Sequence, residues 1–192
     1  EGFEPDKTMH ALKSESCTAV HGVPTMFSAM LASSEFNGKP IKSLRTGIMA
    51  GSQCPEVLMR RVLYDLGCSE ITIAYGMTET SPISFQSDVN DPVDVRVSTV
   101  GRIQPHCEVK IVEDDGSTCA VGQTGELWTK GYLVMKGYWN DTEATQSSIE
   151  NGWMKTGDLA TIDNEGFCRI VGRKKDMVIR GGENIYPAEL EE

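Results

Sequence analysis

The sequence predicts an α/β fold in which a parallel-sheet α/β subdomain is followed by a small β-barrel-like subdomain. In the first half of the chain, strand-like apolar runs alternate with helical segments, an order typical of parallel sheets covered by helices. From Val100 onward the apolar runs are short, alternating and separated by glycine turns, which is typical of a small barrel or a folded-over sheet. We therefore divide the chain into residues 1–98, residues 99–172 and a C-terminal segment, residues 173–192.

The first half contains three predicted strands and three predicted helices. Pro24 suits the first turn of a helix, and Phe27, Met30 and Leu31 follow it at helical spacing. The predicted elements, in chain order, are a helix over residues 5–16, a strand over 18–23, a helix over 24–33, a strand over 44–50, a helix over 55–66 with Val57, Leu58, Val62, Leu63 and Leu66 on one side, and a strand over 70–74. Ligands of open α/β sheets bind at the carboxyl ends of strands, so the loops that follow these strands form the expected ligand site.

The second half contains mostly predicted strands, over residues 108–112, 126–129, 160–162 and 167–171. A helix over residues 141–149 interrupts them. Asn140 or Asp141 suits its N-cap, and Glu143 lies in its first turn. A last helix begins at Pro187 and has little more than one turn before residue 192. Because so short a helix is marginal alone and the sequence has no initiator Met, we expect a piece of a longer gene product.

The charge balance argues against nucleic-acid binding. The chain has 18 Lys and Arg against 28 Asp and Glu, a formal net charge of −10, and such a protein repels a phosphate backbone unless its basic residues form one face. The nearest approach to such a face is the stretch Arg173, Lys174, Lys175 and Arg180. No apolar run approaches the ~20 residues that span a bilayer, so we predict no membrane span. Small molecules are the expected partners.

The six cysteines predict an intracellular protein. They are scattered along the chain and no two are spaced as C-x-x-C, which argues against a zinc ribbon or a thioredoxin-type redox site. Without a secretory signal, scattered cysteines fit reduced core thiols better than a disulfide framework. We therefore expect a cytoplasmic or mitochondrial-matrix protein.

The segment YGMTET, residues 75–80, directly follows the third predicted strand. Tyr75 can stack on a planar base, and Gly76 lets a ligand approach the backbone. The Thr78 hydroxyl can donate to a phosphate oxygen, and the Glu79 carboxylate can hold Mg²⁺ on such oxygens. A strand end followed by a polar loop explains the same residue types, so the surrounding motifs must decide between these interpretations.

Two further segments fit a nucleotide site. Gly51, Ser52 and Gln53 form a small-residue turn between a predicted strand and a predicted helix, and this turn could help to clamp a flat ring. Asp158 follows a predicted Thr-Gly turn in the segment KTGDL. Its carboxylate could accept two hydrogen bonds from ribose hydroxyls, or it could be a turn residue satisfied by the local backbone.

A charged linker, residues 173–176, precedes a Gly-Gly turn at residues 181–182. This arrangement suits a hinge. A solvated run of charges is the simpler alternative.

Taken in this order, the segments resemble the acyl-activating, AMP-forming ligase superfamily, which includes acyl-CoA synthetases, firefly-luciferase-like enzymes and adenylation domains of peptide synthetases. The resemblance covers nearly the whole chain and is carried by four signatures, YGMTET, GELWTKGYLVMKGYWN, KTGDL and GRKKDMVIRGGENIYPAELE. The segments GGENIYPAELE and VGRIQPH are most similar to the medium-chain acyl-CoA synthetase branch, in particular to its second member. The resemblance implies an acid–thiol ligase that uses ATP, Mg²⁺ and CoA. A carboxylate attacks the α-phosphate of ATP, pyrophosphate leaves, and the CoA thiol then attacks the acyl-adenylate and releases AMP.

The resemblance also implies a role for each matching residue, with Thr78, Glu79 and Arg173 as the catalytic set. Residues 21–25 match the wall of the acyl pocket, where His21 departs from the usual apolar residue and is more simply a hydrogen-bonded core or rim histidine. Residues 173–192 match the hinge and the start of the C-terminal domain. The implied roles are adenine contact for Gly51, Ser52 and Gln53, stacking for Tyr75 beside Gly76, phosphate binding for Thr78, Mg²⁺ binding for Glu79, ribose binding for Asp158, nucleotide contact for Arg173, the hinge at Lys175 and the pantetheine tunnel at Gly182.

Two parts of the superfamily pattern have no match in the sequence. These are the Ser/Thr/Gly-rich phosphate loop with the acyl-gating aromatic motif, and the catalytic Lys of the C-terminal domain. Adenylation depends on positioning and on charge neutralisation at the phosphate, so we expect the 192-residue chain alone to be inactive. An aryl- or amino-acid-activating enzyme, a non-catalytic nucleotide-binding module and a fragment with purely structural contacts are the alternatives.

Overall fold

The computed structural model describes residues 2–176, 178–180 and 183–185, which fall into two compact units. The first unit contains the residues up to Ala74 together with Ser87–Ser98, and the second contains Tyr75–Gln86 and the residues from Thr99 onward. These units differ from the predicted ranges at residues 75–86, and the predicted division into subdomains stays a prediction. Gly182 and the helix predicted to begin at Pro187 lie outside the described residues.

The first unit alternates helices with three parallel strands, as predicted. Its elements are α1 (Pro5–Ser14), β1 (Ala19–Gly22), α2 (Pro24–Ala32), β2 (Thr46–Ala50), α3 (Glu56–Tyr64), β3 (Glu70–Gly76) and α4 (Val93–Ser98). The last two residues of β3 belong to the second unit. Both β1 and β3 pair with β2 in parallel, with Gly22 opposite Met49 and Ala50 opposite Ala74. The carboxyl ends of β1 and β2 therefore lie side by side.

The core of the first unit follows from the apolar faces of its helices. Phe27, Met30 and Leu31 are all buried, which confirms the predicted face of α2. Each such side chain contributes about 1.5–3 kcal/mol by leaving water. Val57 was predicted to share the buried side of α3, and this is wrong because Val57 is 72% exposed, whereas Met59 is fully buried.

The second unit is built from antiparallel strands. One sheet has the order β10-β9-β7-β6, with β8 paired to β9, while β4 pairs with β5 and β11 pairs with β12. Its elements are β4 (Ile83–Gln86), β5 (Arg102–Ile103), β6 (Cys107–Val112), β7 (Gly125–Gly131), α5 (Thr142–Ser148), β8 (Ile149–Glu150), β9 (Trp153–Ile162), β10 (Cys168–Arg173), β11 (Val178–Arg180), β12 (Glu183–Ile185) and the 3₁₀ turns Thr78–Thr80 and Lys174–Asp176. A curled antiparallel sheet following a parallel one confirms the predicted fold class.

A separate core holds the second unit together. Its buried members are Phe85, Ile111, Leu127, Ala160 and Cys168, and the ring of Tyr75 packs against them. The cluster therefore draws on β4, β6, β7, β9 and β10. Tyr75, a candidate site residue, thus has its ring fixed by the core.

One predicted turn is wrong, and the difference concerns the site. The strand predicted over residues 160–162 is in fact β9, which begins at Trp153 and runs through the predicted Thr-Gly turn. Gly157 has a φ of 72°, and the register between β7 and β9 shifts between Glu126 and Trp128. A positive φ of this kind accommodates a bulge within a strand, so Asp158 lies in a bulged strand and not after a turn.

The predicted cap of α5 is resolved in favour of Asp141. Its side chain accepts a hydrogen bond from the backbone N–H of Ala144 at 2.8 Å. Glu143 lies in the first turn, as predicted. Across the part of the chain that the structure describes, every helix is too short or too polar to cross a bilayer.

Candidate functional site

The centre of the candidate site is the carboxylate of Asp158. The Tyr75 hydroxyl donates to Asp158 Oδ2 at 2.5 Å. Arg173 Nε lies 3.1 Å from Asp158 Oδ1. The aspartate is only 8% exposed, so its charge is buried together with a hydroxyl donor and a cation. The structure thus brings together three of the predicted site residues within the second unit.

Local backbone structure positions these three side chains. Tyr75 lies near the end of β3, and Arg173 is the last residue of β10, directly opposite Asp158 in the register with β9. The Thr156 hydroxyl accepts from the backbone N–H of Asp158 at 3.1 Å and donates to the carbonyl of Leu127 at 2.8 Å. The Thr156 hydroxyl therefore links the bulge to β7 and fixes the backbone that carries the Asp158 carboxylate.

Burial sets the electrostatics of Tyr75. Removal from water raises the pKa of its hydroxyl, and the negative charge of Asp158 raises that pKa further. The hydroxyl is therefore a permanent donor near neutral pH. The Tyr75 ring makes an edge contact with Phe85, with 6.2 Å between the ring centroids. Each oxygen of a carboxylate can accept a second hydrogen bond, so Asp158 retains capacity for ligand hydroxyls.

Glu79 occupies a different environment, on the 3₁₀ turn after β3. Its Oε1 accepts a hydrogen bond from the Tyr138 hydroxyl at 2.8 Å. Its backbone carbonyl accepts from the N–H of Met135 at 2.9 Å. The turn is held from inside by Thr80, which is fully buried and whose hydroxyl accepts from the N–H of Met77 at 3.2 Å. Thr78 is exposed on the same turn.

The fold itself explains why position 76 is a glycine. A Cβ atom at this position would lie 1.6 Å from the carbonyl oxygen of Pro82. Only glycine therefore allows the chain to turn back so closely after β3. The close approach that the structure shows is to the backbone of the same chain, and the role of Gly76 toward a ligand stays a prediction.

The donor set around Glu79 fits a cation that arrives with a phosphate ligand. Among the described residues, no group of three or more His, Cys, Asp or Glu side chains could hold a metal ion. Mg²⁺ commonly takes one or two carboxylates and completes its shell with substrate phosphates and water. A single carboxylate with one oxygen engaged by Tyr138 is compatible with that mode of binding.

The charged linker borders a surface depression of about 410 Å³ in the second unit. Lys174 Nζ lies 2.9 Å from Asp114 Oδ1 and 3.3 Å from Glu126 Oε2. The hydrogen bond to Asp114 raises the pKa of Lys174. These contacts fix the 3₁₀ turn against the sheet, while Lys175 is exposed. The depression is lined by Thr156, Gly157, Arg173, Lys174 and Lys175.

The first unit carries the predicted adenine turn and the predicted acyl-pocket segment. Gly51, Ser52 and Gln53 follow β2 and are exposed. His21 is exposed near the end of β1, so it is not a core histidine, and its alternative interpretation as a rim histidine stays a prediction. Because β1 and β2 are parallel neighbours, the two segments leave the same edge of the sheet.

Comparison with known proteins extends these observations. Residues 1–139 match the family described as AMP-binding enzyme. The chain belongs to the AMP-binding enzyme family. Acyl-CoA ligase sidI of Aspergillus fumigatus is 47% identical over 100% of the chain and 33% of the relative. The mitochondrial medium-chain acyl-CoA ligase ACSF2 of Bos taurus is 44% identical over 99% of the chain and 31% of the relative.

Solved structures of the AMP-binding enzyme family have the same fold. O-succinylbenzoate coenzyme A synthetase from Bacillus subtilis, in complex with AMP, is 35% identical with a TM-score of 0.86, over 98% of this chain and 38% of that one. The same synthetase has been solved in complex with ATP and magnesium ion. The chain spans about a third of the length of the curated relatives it matches.

Two contributors to the site were not predicted. Tyr138, which donates to Glu79, lies in the quoted signature GELWTKGYLVMKGYWN. Glu126, in the same signature, accepts from the N–H of Gly157 at 3.2 Å and pairs with Lys174. The motif indicated that this segment belongs to the site. The sequence alone does not show which of its residues contact Glu79 and which contact the bulge.

Proposed function

We propose that the chain is the nucleotide-handling part of an AMP-forming acid–thiol ligase, which activates a medium-chain fatty acid as an acyl-adenylate and transfers it to CoA. The observation that carries the proposal is the buried Asp158 carboxylate, held by Tyr75 and Arg173. A rigid acceptor beside an aromatic ring and a cation has the chemistry that a nucleoside phosphate requires. Membership of the AMP-binding enzyme family supports it.

In this proposal Asp158 accepts hydrogen bonds from the ribose hydroxyls, and Tyr75 stacks on the adenine. Gly51, Ser52 and Gln53 contact the adenine edge, with Gly76 beside Tyr75. Arg173 combines a salt bridge to Asp158 with a side chain that is 62% exposed, so it can also reach a phosphate or ribose oxygen. Buried acceptors oriented in advance avoid part of the entropic cost of ordering a ligand.

Glu79 and Thr78 handle the phosphates. Mg²⁺, when bound, would neutralise charge on the phosphate oxygens and so favour attack by the carboxylate of the acid. Glu79 is the residue that would hold it, because its carboxylate lies on a turn that Tyr138 and Met135 fix. The exposed Thr78 hydroxyl is free to turn toward a phosphate oxygen.

The second half-reaction requires the CoA thiol to attack the carbonyl carbon of the acyl-adenylate and release AMP. We propose Lys175 as the hinge for the domain movement between the two half-reactions, since it is exposed directly after the anchored Lys174. We propose Gly182 for the pantetheine tunnel on the family resemblance alone.

The acid substrate is the finer part of the proposal. Medium-chain fatty acids are favoured because a relative of that name is 44% identical, above the 35% of O-succinylbenzoate coenzyme A synthetase. That second similarity keeps an aryl acid as the competing substrate. We also propose an intracellular compartment, either the cytoplasm or the mitochondrial matrix. The second of these is suggested by the Bos taurus relative, which is named as mitochondrial.

The test is an assay of the full-length gene product with ATP, Mg²⁺ and a panel of acids. Octanoate should support pyrophosphate release, and added CoA should give octanoyl-CoA and AMP in equal amounts. Preference for benzoate-type acids would replace the fatty-acid assignment with an aryl one. If the protein binds ATP but releases pyrophosphate with none of the acids, it is a non-catalytic nucleotide-binding module and not a ligase.

A further inference from the structure

Two hydrogen bonds join the turn that carries Glu79 to residues 132–141, the loop that follows β7. The N–H of Met135 donates to the backbone carbonyl of Glu79 at 2.9 Å. The hydroxyl of Tyr138 donates to Glu79 Oε1 at 2.8 Å. One bond therefore fixes the backbone of Glu79 and the other fixes its side chain.

The loop that supplies these donors is itself anchored. The N–H of Tyr138 donates to the Thr145 hydroxyl at 2.9 Å, and that hydroxyl donates to the carbonyl of Asp141 at 2.7 Å. Asp141 in turn caps α5. The backbone of Tyr138 is thus fixed by the N-terminus of α5. This limits where the Tyr138 hydroxyl can lie, although the residue is 37% exposed.

The contact has a specific chemical consequence for the carboxylate. A glutamate side chain on an exposed turn has three freely rotating bonds, and ordering it costs up to about 1.5–2 kcal/mol of entropy. The Tyr138 hydroxyl engages Oε1, and none of the described residues forms a hydrogen bond or an ion pair with Oε2. The hydrogen bond also raises the pKa of Tyr138, which keeps its hydroxyl a donor.

We infer that Tyr138 is a positioning residue for the cation-bound nucleotide: its hydroxyl holds the Glu79 carboxylate by Oε1 and leaves Oε2 for Mg²⁺. The inference rests on the proposed function, since it takes Glu79 as the Mg²⁺ ligand. It adds a residue that does not touch the reacting atoms and acts only through Glu79.

The test compares ATP binding at equilibrium in Mg²⁺ and in EDTA, using the full-length gene product. The proteins are the wild type, Tyr138→Phe, Glu79→Gln and the double variant. The factor by which Mg²⁺ tightens ATP binding should fall about tenfold in Tyr138→Phe, the lower end of the effect of a hydrogen bond to a charged group. Binding in EDTA should change less than about twofold. In the Glu79→Gln background, Tyr138→Phe should have no further effect, because the two residues act as one unit.

The matched control is Tyr132→Phe. Tyr132 lies on the same loop and is 76% exposed, so the change removes a hydroxyl from the same segment but none from Glu79. This variant should keep the Mg²⁺ factor of the wild type. In steady state, Tyr138→Phe should need about tenfold more Mg²⁺ for half-maximal pyrophosphate release, with the KM for the acid unchanged.

Three outcomes would overturn the inference. They are a wild-type Mg²⁺ factor in Tyr138→Phe, an equal loss of binding in EDTA, which would indicate a structural role, and additive effects in the double variant. If Mg²⁺ does not tighten ATP binding in the wild type, the proposed function fails as well. If it does so while Tyr138→Phe behaves as the wild type, this inference alone fails.

Discussion

The second unit pairs a tyrosine hydroxyl with a carboxylate twice, and the two pairs differ in burial. Tyr75 donates to Asp158 at 2.5 Å, and this aspartate is 8% exposed and also bound by Arg173. Tyr138 donates to Glu79 at 2.8 Å, and this tyrosine is 37% exposed. The same chemical contact thus occurs once inside the protein and once at its surface.

Burial changes what the contact does. A buried carboxylate without donors costs several kcal/mol, so Asp158 requires both Tyr75 and Arg173 for the folded state to be stable. At the surface of the nucleotide-free protein, water competes for the same hydrogen bonds, so the net gain is small until a bound nucleotide displaces that water. The Tyr138 contact therefore orients Glu79 more than it stabilises the fold. We expect the buried pair to govern stability and nucleotide affinity, and the exposed pair to govern the response to Mg²⁺.

The largest expected effect comes from Glu79→Gln in the full-length gene product. A neutral amide keeps the shape of the side chain but cannot offset the charge that Mg²⁺ brings. Pyrophosphate release should fall by a factor on the order of a hundred or more, measured at fixed Mg²⁺ and saturating acid. Glu143→Gln, on an exposed position of α5, is the control and should be unaffected. Near-normal pyrophosphate release by Glu79→Gln would show that Glu79 is not the Mg²⁺ ligand.

Asp158→Ala is expected to have the next largest effect, on ATP affinity. The ribose hydroxyls lose a charged acceptor worth ~1.5–3 kcal/mol, so the Kd should rise roughly ten- to a hundredfold in a direct binding measurement. The variant should bind ATP and its 2′,3′-dideoxy analogue almost equally, because the analogue lacks the hydroxyls. If the wild type itself does not distinguish the two nucleotides, Asp158 does not contact the ribose.

The difference between the two pairs also separates what the sequence could predict from what it could not. Both carboxylates were proposed from motifs: Glu79 follows Thr78 just after a predicted strand, and Asp158 follows a predicted Thr-Gly turn. Their tyrosine partners lie 83 and 59 residues away along the chain. No local pattern encodes such a pairing, so the Tyr138 contact was missed, and Tyr75 was expected only to stack.

Local signals were reliable where local physics decides the structure. Asp141 and Pro24 mark the starts of α5 and α2 as capping rules require. The segment VDVRVS alternates with period two, which is typical of a strand, yet it forms α4. There the guanidinium of Arg96 is buried and donates to the carbonyls of Ile71 and Asp91 at 2.8 and 2.9 Å. Tertiary hydrogen bonds overrode the pattern, as they did at the bulge beside Asp158.

A third prediction compares Tyr75→Phe with Tyr138→Phe in folding stability. Tyr75→Phe removes the hydroxyl donor of a buried carboxylate and leaves it the ion pair with Arg173, so it should lower the free energy of unfolding by about 1.5–3 kcal/mol. Tyr138→Phe removes an exposed hydrogen bond and should change it by less than about 0.5 kcal/mol. Urea denaturation of both variants at pH 7 measures the difference. Equal losses would show that burial does not distinguish the two pairs.

The smallest expected effect is a change in the pH dependence of stability at alkaline pH. The pKa of Tyr75 is raised in the folded state, by burial first and by Asp158 second, and the ordinary pKa of tyrosine is about 10. At a pH between the ordinary pKa and the raised pKa of the folded state, Tyr75 has released its proton in the unfolded chain but retains it in the folded chain. The unfolded state therefore binds fewer protons, and stability falls as the pH rises, by at most about 1.4 kcal/mol per pH unit.

The stabilisation by Tyr75 is thus fully present below pH ~10 and is lost as the pH rises toward the folded-state pKa. Replacing Tyr75 by Phe removes the titrating group, so the stability of Tyr75→Phe should decline less steeply between pH 9.5 and 11 than that of the wild type. The difference between the two urea midpoints cancels the other tyrosines, lysines and cysteines, which titrate in both proteins. Tyr138→Phe should change the slope less, because water reaches its hydroxyl and stabilises the ionised form. Parallel declines for the wild type and Tyr75→Phe would mean that the Tyr75 hydroxyl is not held by a buried carboxylate, and the contrast between the two pairs would not hold.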